Sequence, residues 1–190
     1  MILSGTDIAR ALKNKSLVID PKPELAAIDS SALDLKVGEP FFTWNRALVE
    51  QQGVAVTVNL DTFKFKSLSE PFLREVQKES NGQYIIEPGQ FYLSATHERV
   101  YLPIESRLAA RVEGKSSLAR LGLVVHMTAP TIHCGFDGVI TLEIFNYGPF
   151  PLRVTPGRTR FCQLIIEKLS SVPKEPGGKS FSGQKTAKGN

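Results

Sequence analysis

Alternating apolar and polar residues are the main structural signal along this chain. The alternation has a period of two in residues 32–38 (ALDLKVG), 54–60 (VAVTVNL) and 63–65 (FKF), which predicts half-buried strands. Turn dipeptides such as Asn-Gly and Pro-Gly separate the later runs. Those runs are QYIIEPG, QFYLSATHERVYLP, RLAARVEG, LVVHMTA, GVITLEIFN, PLRVTPG and RFCQLIIEKL. Many short strands with regular turns predict a mainly β fold, a sandwich or barrel of the jelly-roll type.

A short helix is predicted at the N-terminus. Ser4 can cap it, with Asp7 three residues later completing a loose capping box. The apolar face of this helix would consist of Ile8, Ala11 and Leu12. Residues 69–80 (SEPFLREVQKES) fit either a second helix or a long loop.

Length and composition indicate one domain with a separate tail. The chain has 190 residues, of which 42% are hydrophobic and 22% charged, as in ordinary globular proteins. We expect a β domain over residues 1–172. Residues 173–190 are poor in apolar residues and rich in glycine and lysine, which predicts a flexible arm that could order over a ligand.

The composition also limits the cellular compartments and the kinds of binding partner that we expect. No run approaches the about 20 apolar residues of a membrane span, and the N-terminus does not resemble a signal peptide, so we expect a cytoplasmic protein without a membrane partner. Cys134 and Cys162 are too few for a disulfide framework and lack zinc-site spacing. The net charge of +4 favours solvated lysines over nucleic-acid binding, and it also suits a small anionic ligand.

Residues 114–122 (GKSSLARLG) gather candidate anion-binding groups. The run AARVEGKS is one residue short of a phosphate-binding Walker loop, because Ala109 stands where glycine is required. A Walker loop also joins a parallel strand to a long helix, and nothing in this chain predicts such a unit. Ser116 or Ser117 can instead cap one short internal helix. Its N–H groups, the two hydroxyls and the Lys115 ammonium could face an anion.

Glu143 is the second candidate. In VITLEIF it lies in the middle of an apolar strand, on the same side as Thr141. Carboxylates are almost never fully buried without a partner. The residue is therefore either on an edge strand in water, or in a cleft beside a cation. A partly desolvated glutamate is a usable general base near neutral pH.

At this point the sequence resembles a known family, the dCTP deaminases of the dUTPase-related superfamily. The resemblance covers nearly the whole chain in order. Its motifs are MILSGTDI, SSALDLKVG, KSSLARLGLVVHMTA, GFDGVITLEIFNYGPFPLRVTPG and PGRTRFCQLIIEKL. The serine-serine-x-x-arginine helix followed by leucine-glutamate is the most specific of these features.

The resemblance implies a fold, an assembly and an activity. The family folds as a distorted jelly-roll β-barrel and forms a homotrimer, with each active site at a subunit boundary. It deaminates dCTP to dUTP and ammonia without zinc, in the synthesis of dUMP and dTTP. The implied ligands are dCTP and dUTP, Mg²⁺ bound with the triphosphate, and dTTP as a possible feedback inhibitor.

Residue roles follow from the same resemblance. Glu143 matches the general base, Arg120 matches the cation that keeps this carboxylate ionised and orients the water, and Ser116 holds the water or a phosphate oxygen. Lys115 stands where arginine is usual, so bidentate phosphate contacts would become single ones. The implied nucleotide-binding set is Lys115, Ser116, Ser117, Leu118, Ala119, Arg120, His133, Thr141, Leu142, Glu143 and Gln184. Thr128 and Ala129 would form the wall of the base pocket, and His126 is more often a packed histidine than a catalyst.

Two departures from the family keep alternatives open. His133 occupies the position where dUTPases, and bifunctional deaminase–dUTPases, carry a water-activating aspartate, so dUTP diphosphatase activity is expected to be weak. In the tail, Gln184 and the aromatic Phe181 match the family, but Ser180 replaces a lysine, although Lys179 is adjacent. A regulatory nucleotide-binding relative without catalytic activity is therefore a second hypothesis.

Overall fold

The computed structural model describes residues 1–51, 57–175 and 183–188. The helices are α1 (Gly5–Lys13), α2 (Arg46–Gln51), α3 (Phe65–Phe72) and α4 (Ser116–Ala119), with short 3₁₀ turns at Leu25–Ala27 and Ile104–Ser106. The strands are β1 (Val18–Asp20), β2 (Leu33–Lys36), β3 (Phe42–Trp44), β4 (Leu73–Glu75), β5 (Tyr84–Ile86), β6 (Phe91–Tyr101), β7 (Leu108–Gly114), β8 (Leu123–Val124), β9 (Thr131–Ile132), β10 (Asp137–Asn146), β11 (Leu152–Val154) and β12 (Arg160–Lys168).

Three antiparallel sheets form the body of the protein. The largest has the order β4-β3-β6-β10-β8, with β1 pairing separately with β6. The second sheet has the order β2-β12-β7-β9, and the third is the pair β11-β5. Strand β10 pairs along its length with β6, with Thr141 opposite Ala95 and Glu143 opposite Leu93. The expected mainly β fold class is confirmed.

Strand alternation decides which residues form the core. In β10, Ile140, Leu142 and Ile144 are buried, and the residues between them are half-buried on the other face of the sheet. Burial of each such apolar side chain stabilises the folded state by roughly 1.5–3 kcal/mol. One large cluster joins side chains from both larger sheets and from α1. A second, small cluster consists of Phe42, Leu73, Leu93 and Ala187.

The N-terminal helix forms as the sequence predicts. The Ser4 hydroxyl oxygen accepts a hydrogen bond from the Asp7 N–H at 3.3 Å, and the hydroxyl donates to the Asp7 carboxylate at 2.8 Å. Ile8 and Ala11 are buried, and Leu12 packs against the main cluster. Helix α1 is thereby fixed against the body of the domain.

The segment between β3 and β4 differs from the prediction. The FKF run at 63–65 was expected to be a strand, but helix α3 begins at Phe65. Three residues are too few to distinguish a period of two from a helix, and Phe65, Leu68 and Ser69 share the helical spacing that faces the protein. In the predicted strand at 54–60, residues 57–60 are not in a strand, and the rest lies outside the described residues. Helix α2 was not predicted, and α3 begins before residues 69–80, for which a helix was one of the two possibilities, and overlaps only residues 69–72 of that segment.

Two further elements are shorter than the pattern suggested. LVVHMTA forms a strand only at Leu123–Val124, and SEPFLREVQKES contributes the end of α3 and then β4. Of the predicted arm at 173–190, residues 183–188 pack on the domain. Within the described ranges, no helix combines the length and the apolar character needed to cross a membrane.

Candidate active site

Glu143 lies in the middle of β10 on the outer face of the largest sheet. It shares this face with Val139, Thr141 and Phe145, and all four are half-buried. Its strand is an inner strand of the sheet, between β6 and β8. Strand β8 extends only as far as Phe145, so at Glu143 itself β10 pairs with β6 alone, but the side chain is half-buried and not in bulk water.

Strand β10 has few partners beside Glu143 because β8 is short. Strand β8 pairs with β10 only through Val124–Phe145 and Leu123–Asn146. Met127, Thr128 and Ala129, which follow β8, are exposed. The Met127 N–H lies close enough to the Glu143 carboxylate to lower its pKa. The role of Thr128 and Ala129 as the wall of the base pocket remains a prediction.

The surroundings of the Glu143 carboxylate change its acidity. Burial raises the pKa of Glu143 above its usual value, because the charged form loses hydration. The backbone N–H groups of Met127 and Glu143 and the nearby His126 oppose this shift. The result is a carboxyl group whose pKa is moved toward neutrality, as a general base requires.

His126 lies close enough to Glu143 for its charge to act on the carboxylate. Its Nδ1 atom is buried and has no hydrogen-bond partner among the described residues. The imidazole is half-buried, but the prediction of a packed, hydrogen-bonded histidine is not met at this nitrogen.

Helix α4 has the predicted position and exposure. It is a single turn that follows β7 directly, and Ser116, Ser117, Ala119 and Arg120 are exposed. Leu118 packs against the main core and anchors the turn. Neither serine is the N-cap, because Lys115 occupies that position without a capping side-chain hydrogen bond.

Two glycines attach α4 to the strand that carries Glu143. Gly122 ends the helical segment with φ of +87°, a conformation that favours glycine. Its backbone passes so close to Gly148 that a Cβ on Gly148 would lie 1.8 Å from the carbonyl oxygen of Leu121. The Tyr147 N–H donates to the Gly122 carbonyl at 2.8 Å. The position of α4 relative to β10 is thus fixed by direct backbone packing.

Lys115 has a partner that the sequence analysis did not identify. Its ammonium group donates to the carboxylate of Asp34 on β2, and the two side chains are 22% and 12% exposed. Gln163 and Arg160 also approach this carboxylate, at 3.4 Å and 3.9 Å. Asp34 stands in the alternating LDLK strand, where the pattern gives no indication of a distant partner.

Arg120 does not pair with Glu143 within one chain. The described residues contain no ion pair between them, and Arg120 is exposed. His133 is exposed in the turn between β9 and β10. The side chain of Leu142 is buried in the core, so only its backbone can face a nucleotide. The roles assigned to these residues remain predictions.

Gln184 packs on β10 beside Thr141, on the same strand face as Glu143. It is only 5% exposed, and its side-chain amide donates to the Val139 carbonyl at 2.7 Å and to the Thr141 hydroxyl at 3.1 Å. The sequence identified Gln184 only through the family resemblance, and gave no signal for its docking site. Lys179, Ser180 and Phe181 lie outside the described residues.

No metal-binding cluster is visible in the part of the chain that the structure describes. No group of three or more His, Cys, Asp or Glu side chains lies close enough to hold an ion there. Cys134 and Cys162 are free and buried. Burial raises the pKa of both thiols.

Comparison with known proteins assigns the chain to a family. A dCTP deaminase-like family model matches residues 2–169. A protein of Rhodospirillum rubrum named dCTP deaminase is 39% identical over 188 residues, covering 99% of this chain and 91% of its own. One of Methanosphaera stadtmanae, named dCTP deaminase, dUMP-forming, is 37% identical over 177 residues, covering 93% and 84%.

A solved structure supports the fold independently. The 2'-deoxycytidine 5'-triphosphate deaminase from Agrobacterium tumefaciens superposes with a TM-score of 0.63 at 23% identity. The match covers 87% of this chain but 47% of that one, so this chain spans about half the length of that protein. With the family model matching almost the whole β domain and relatives more than a third identical, the chain belongs to the dCTP deaminase-like family.

Proposed function

We propose that this protein hydrolyses dCTP to dUTP and ammonia, as an enzyme of pyrimidine deoxynucleotide synthesis. The observation that carries the proposal is the half-buried Glu143 carboxylate beside the Met127 N–H, with its pKa raised by burial. A hydrolytic deaminase without a metal at the base needs a side chain that takes a proton from water at this place. The names of the relatives agree with this substrate.

The reaction can be written around Glu143. The carboxylate removes a proton from water as the oxygen attacks C4 of cytosine, and a tetrahedral intermediate forms. Glu143 gives this proton to the ring nitrogen N3, then takes the proton of the new C4 hydroxyl and passes it to the amine, so that the C4–N bond breaks as the C4=O bond forms. Water is consumed, ammonia leaves, and the carboxylate is regenerated. The Met127 N–H, beside the carboxylate, would help to orient it.

The triphosphate would lie against α4. Ser116 and Ser117 are exposed there, and Ser116 would hold the catalytic water or a phosphate oxygen. Lys115 would face the phosphates with donors that Asp34 leaves free, since an ammonium group has three. Mg²⁺ would arrive with the triphosphate as part of the substrate, coordinated mainly by phosphate oxygens and water.

We infer that the active site is completed by a second copy of the chain in a homotrimer. Arg120 is exposed and is not paired with the Glu143 of its own chain. In a cyclic trimer, the contact between neighbouring subunits joins two different surfaces, so α4 of one subunit can face β10 of the next. Arg120 of the neighbour would then keep Glu143 ionised and orient the water.

Mixing inactive variants tests this shared site. Glu143→Gln and Arg120→Ala should each be inactive, whereas trimers reassembled from an equal mixture should recover about a quarter of the wild-type activity, because random assembly gives that share of intact sites. Sedimentation should give a trimer for each protein. A monomer that is active, or mixed trimers without recovery, would exclude the shared site.

Product analysis after incubation with dCTP and Mg²⁺ tests the function itself. Ammonia and dUTP in equal amounts are expected. Formation of dUMP and pyrophosphate would instead indicate the bifunctional activity after which several relatives are named. Tight binding of dCTP or dTTP without ammonia would indicate a regulatory nucleotide-binding protein.

A further inference from the structure

Residues 183–188 cross the outer face of the largest sheet, and we call them the arm segment. We propose that Thr141 is a positioning residue for this segment, whose hydroxyl holds Gln184 rather than the nucleotide, and that Phe42 provides its second anchor. The docking itself does not depend on the deaminase function, but its effect on substrate binding rests on that proposed function.

The first anchor joins the arm segment to β10. Gln184 is almost fully buried, and its amide donates to both the Val139 carbonyl and the Thr141 hydroxyl. The backbone adds two contacts, because Gly183 N–H donates to the Asp137 carbonyl at 2.5 Å and Val139 N–H donates to the Gln184 carbonyl at 3.2 Å. The Thr141 hydroxyl is thus occupied by the chain itself.

A glycine on β10 makes this approach possible. A Cβ on Gly138 would lie 3.2 Å from the Gln184 carbonyl oxygen and 3.3 Å from its nitrogen, which is tighter than an ordinary contact. Any side chain at this position would push the arm segment away from the strand. The local backbone of β10 is therefore shaped to receive it.

The second anchor lies two strands away. Ala187 is 4% exposed and belongs to the small apolar cluster with Phe42, Leu73 and Leu93. The Lys188 ammonium lies 4.4 Å from the centroid of the Phe42 ring, within the range of a cation–π contact. This cluster is separate from the main core, and the arm segment supplies one of its four buried members.

Both anchors include a residue that neighbours Glu143 in the sheet. Thr141 precedes it by two residues on the same strand face, and Leu93 is its cross-strand partner on β6. The arm segment is therefore docked on residues that adjoin Glu143 along the strand and across it. A few hydrogen bonds and one small apolar contact hold it there, so it can be released and redocked during turnover.

Limited proteolysis of the nucleotide-free protein tests the docking without any catalytic assay. Trypsin can cut after Lys185 only when the arm segment is released, so the rate reports the released fraction. Thr141→Val should increase this rate about fivefold, the equilibrium factor of one ordinary hydrogen bond. Thr141→Ser should restore protection, and Thr131→Val, at an exposed strand position, should leave the rate unchanged. Equal rates for Thr141→Val and wild type would overturn the proposal.

Kinetics then separate positioning from direct nucleotide contact. Thr141→Val should raise the KM for dCTP about fivefold and change kcat by less than about twofold. In a Gln184→Ala background it should have no further effect, because the partner of the hydroxyl is already gone. If Thr141→Val raises the KM for dCTP equally in the wild-type and Gln184→Ala backgrounds, Thr141 binds the nucleotide itself, and the assignment is overturned.

A charge placed in the second anchor gives an independent test. Ala187→Asp would bury a carboxylate among Phe42, Leu73 and Leu93, so the arm segment should undock. The KM for dCTP should then rise at least about fivefold, as for Thr141→Val. Lys185→Gln changes the net charge by the same one unit at an exposed position and should behave as wild type. Identical kinetics for Ala187→Asp and Lys185→Gln would refute the anchor.

Discussion

Lys115 and Asp34 are 81 positions apart in the chain and form a largely buried ion pair between α4 and β2. This contact joins the proposed phosphate-binding turn to the second sheet. The positive charge of Lys115 is therefore already partly balanced by Asp34 before any nucleotide binds.

Asp34→Asn should destabilise the protein. The substitution leaves the charge of the Lys115 ammonium poorly compensated at a site with little water. We expect the free energy of unfolding to fall by about 2 kcal/mol. This is less than for fully buried ion pairs, because both side chains keep some exposure. Urea denaturation measures it. As a control, Glu167→Gln breaks the more exposed pair with Arg111 and should cost less than about 0.5 kcal/mol.

A double variant identifies the origin of this loss. Asp34→Asn combined with Lys115→Met removes the uncompensated charge and should recover most of the lost stability. No recovery would mean that Asp34 acts through Arg160 or Gln163 instead.

Glu143→Gln should remove deamination while leaving the fold and nucleotide binding intact. Loss of the general base is expected to lower kcat by about 10²–10⁴-fold. Glu113→Gln, at a surface ion pair, is the matched control. Full activity of Glu143→Gln would remove this residue from the mechanism.

The same carboxylate should set the acid limb of the pH profile. Because Glu143 must be ionised to accept a proton and burial raises its pKa, kcat/KM should fall at a pH above the ordinary glutamate value of about 4.3. Initial rates between pH 4 and 8 test this. If kcat/KM instead falls only at or below the ordinary glutamate pKa, the cation proposed beside Glu143, Arg120 of the neighbouring subunit, lowers the pKa more than burial raises it.

Glu98 should make stability depend on pH. It is 3% exposed, and burial raises its pKa, although its carboxylate accepts the Lys36 N–H at 2.9 Å. A carboxyl group with a raised folded pKa stabilises the protein when protonated, and this contribution is lost as pH rises through that pKa. Glu98→Gln keeps an acceptor for Lys36 but cannot ionise. Its stability relative to wild type should therefore increase from pH 4 to pH 8 in thermal unfolding, and a constant difference would contradict this.

His133→Asp should increase the release of pyrophosphate from dUTP. The family resemblance implies that an aspartate of dUTPases at this position activates the water that attacks phosphorus, and an imidazole does not replace a carboxylate there. We expect a gain of about tenfold or more in dUTP hydrolysis, with dCTP deamination retained. His133→Asn adds no base and serves as the control. An unchanged rate would mean that the turn between β9 and β10 has a different geometry from that of the dUTPases.

Gly148→Ala should displace α4. Its Cβ would overlap the Leu121 carbonyl, and the resulting backbone shift should cost about 1–3 kcal/mol in stability and lower kcat/KM for dCTP. At Gly114 a Cβ would meet nothing closer than 3.8 Å, so Gly114→Ala should be nearly neutral for stability. Calorimetry compares the two, and equal melting temperatures would contradict the packing argument.

Local pattern alone determined much of this protein. The alternating runs were sufficient for β2 and β10, because a strand with one buried face must alternate, and β6, β7 and β12 lie in the other strand-like runs between turn signals. The capping signature fixed α1, whereas the pattern left open whether Glu143 lies in water or beside a cation. The segment between β3 and β4 was misjudged, because three alternating residues carry too little information against helix packing.

Only the tertiary structure decided which distant groups meet. The pairing of Lys115 with Asp34, the close approach of Gly122 and Gly148, and the docking of Gln184 on Thr141 join residues from different parts of the chain. No periodicity predicts them, because each depends on strand register and on where a short strand such as β8 ends. The sequence thus determines which face of a strand a side chain occupies, and the packing of the sheets determines what that side chain touches.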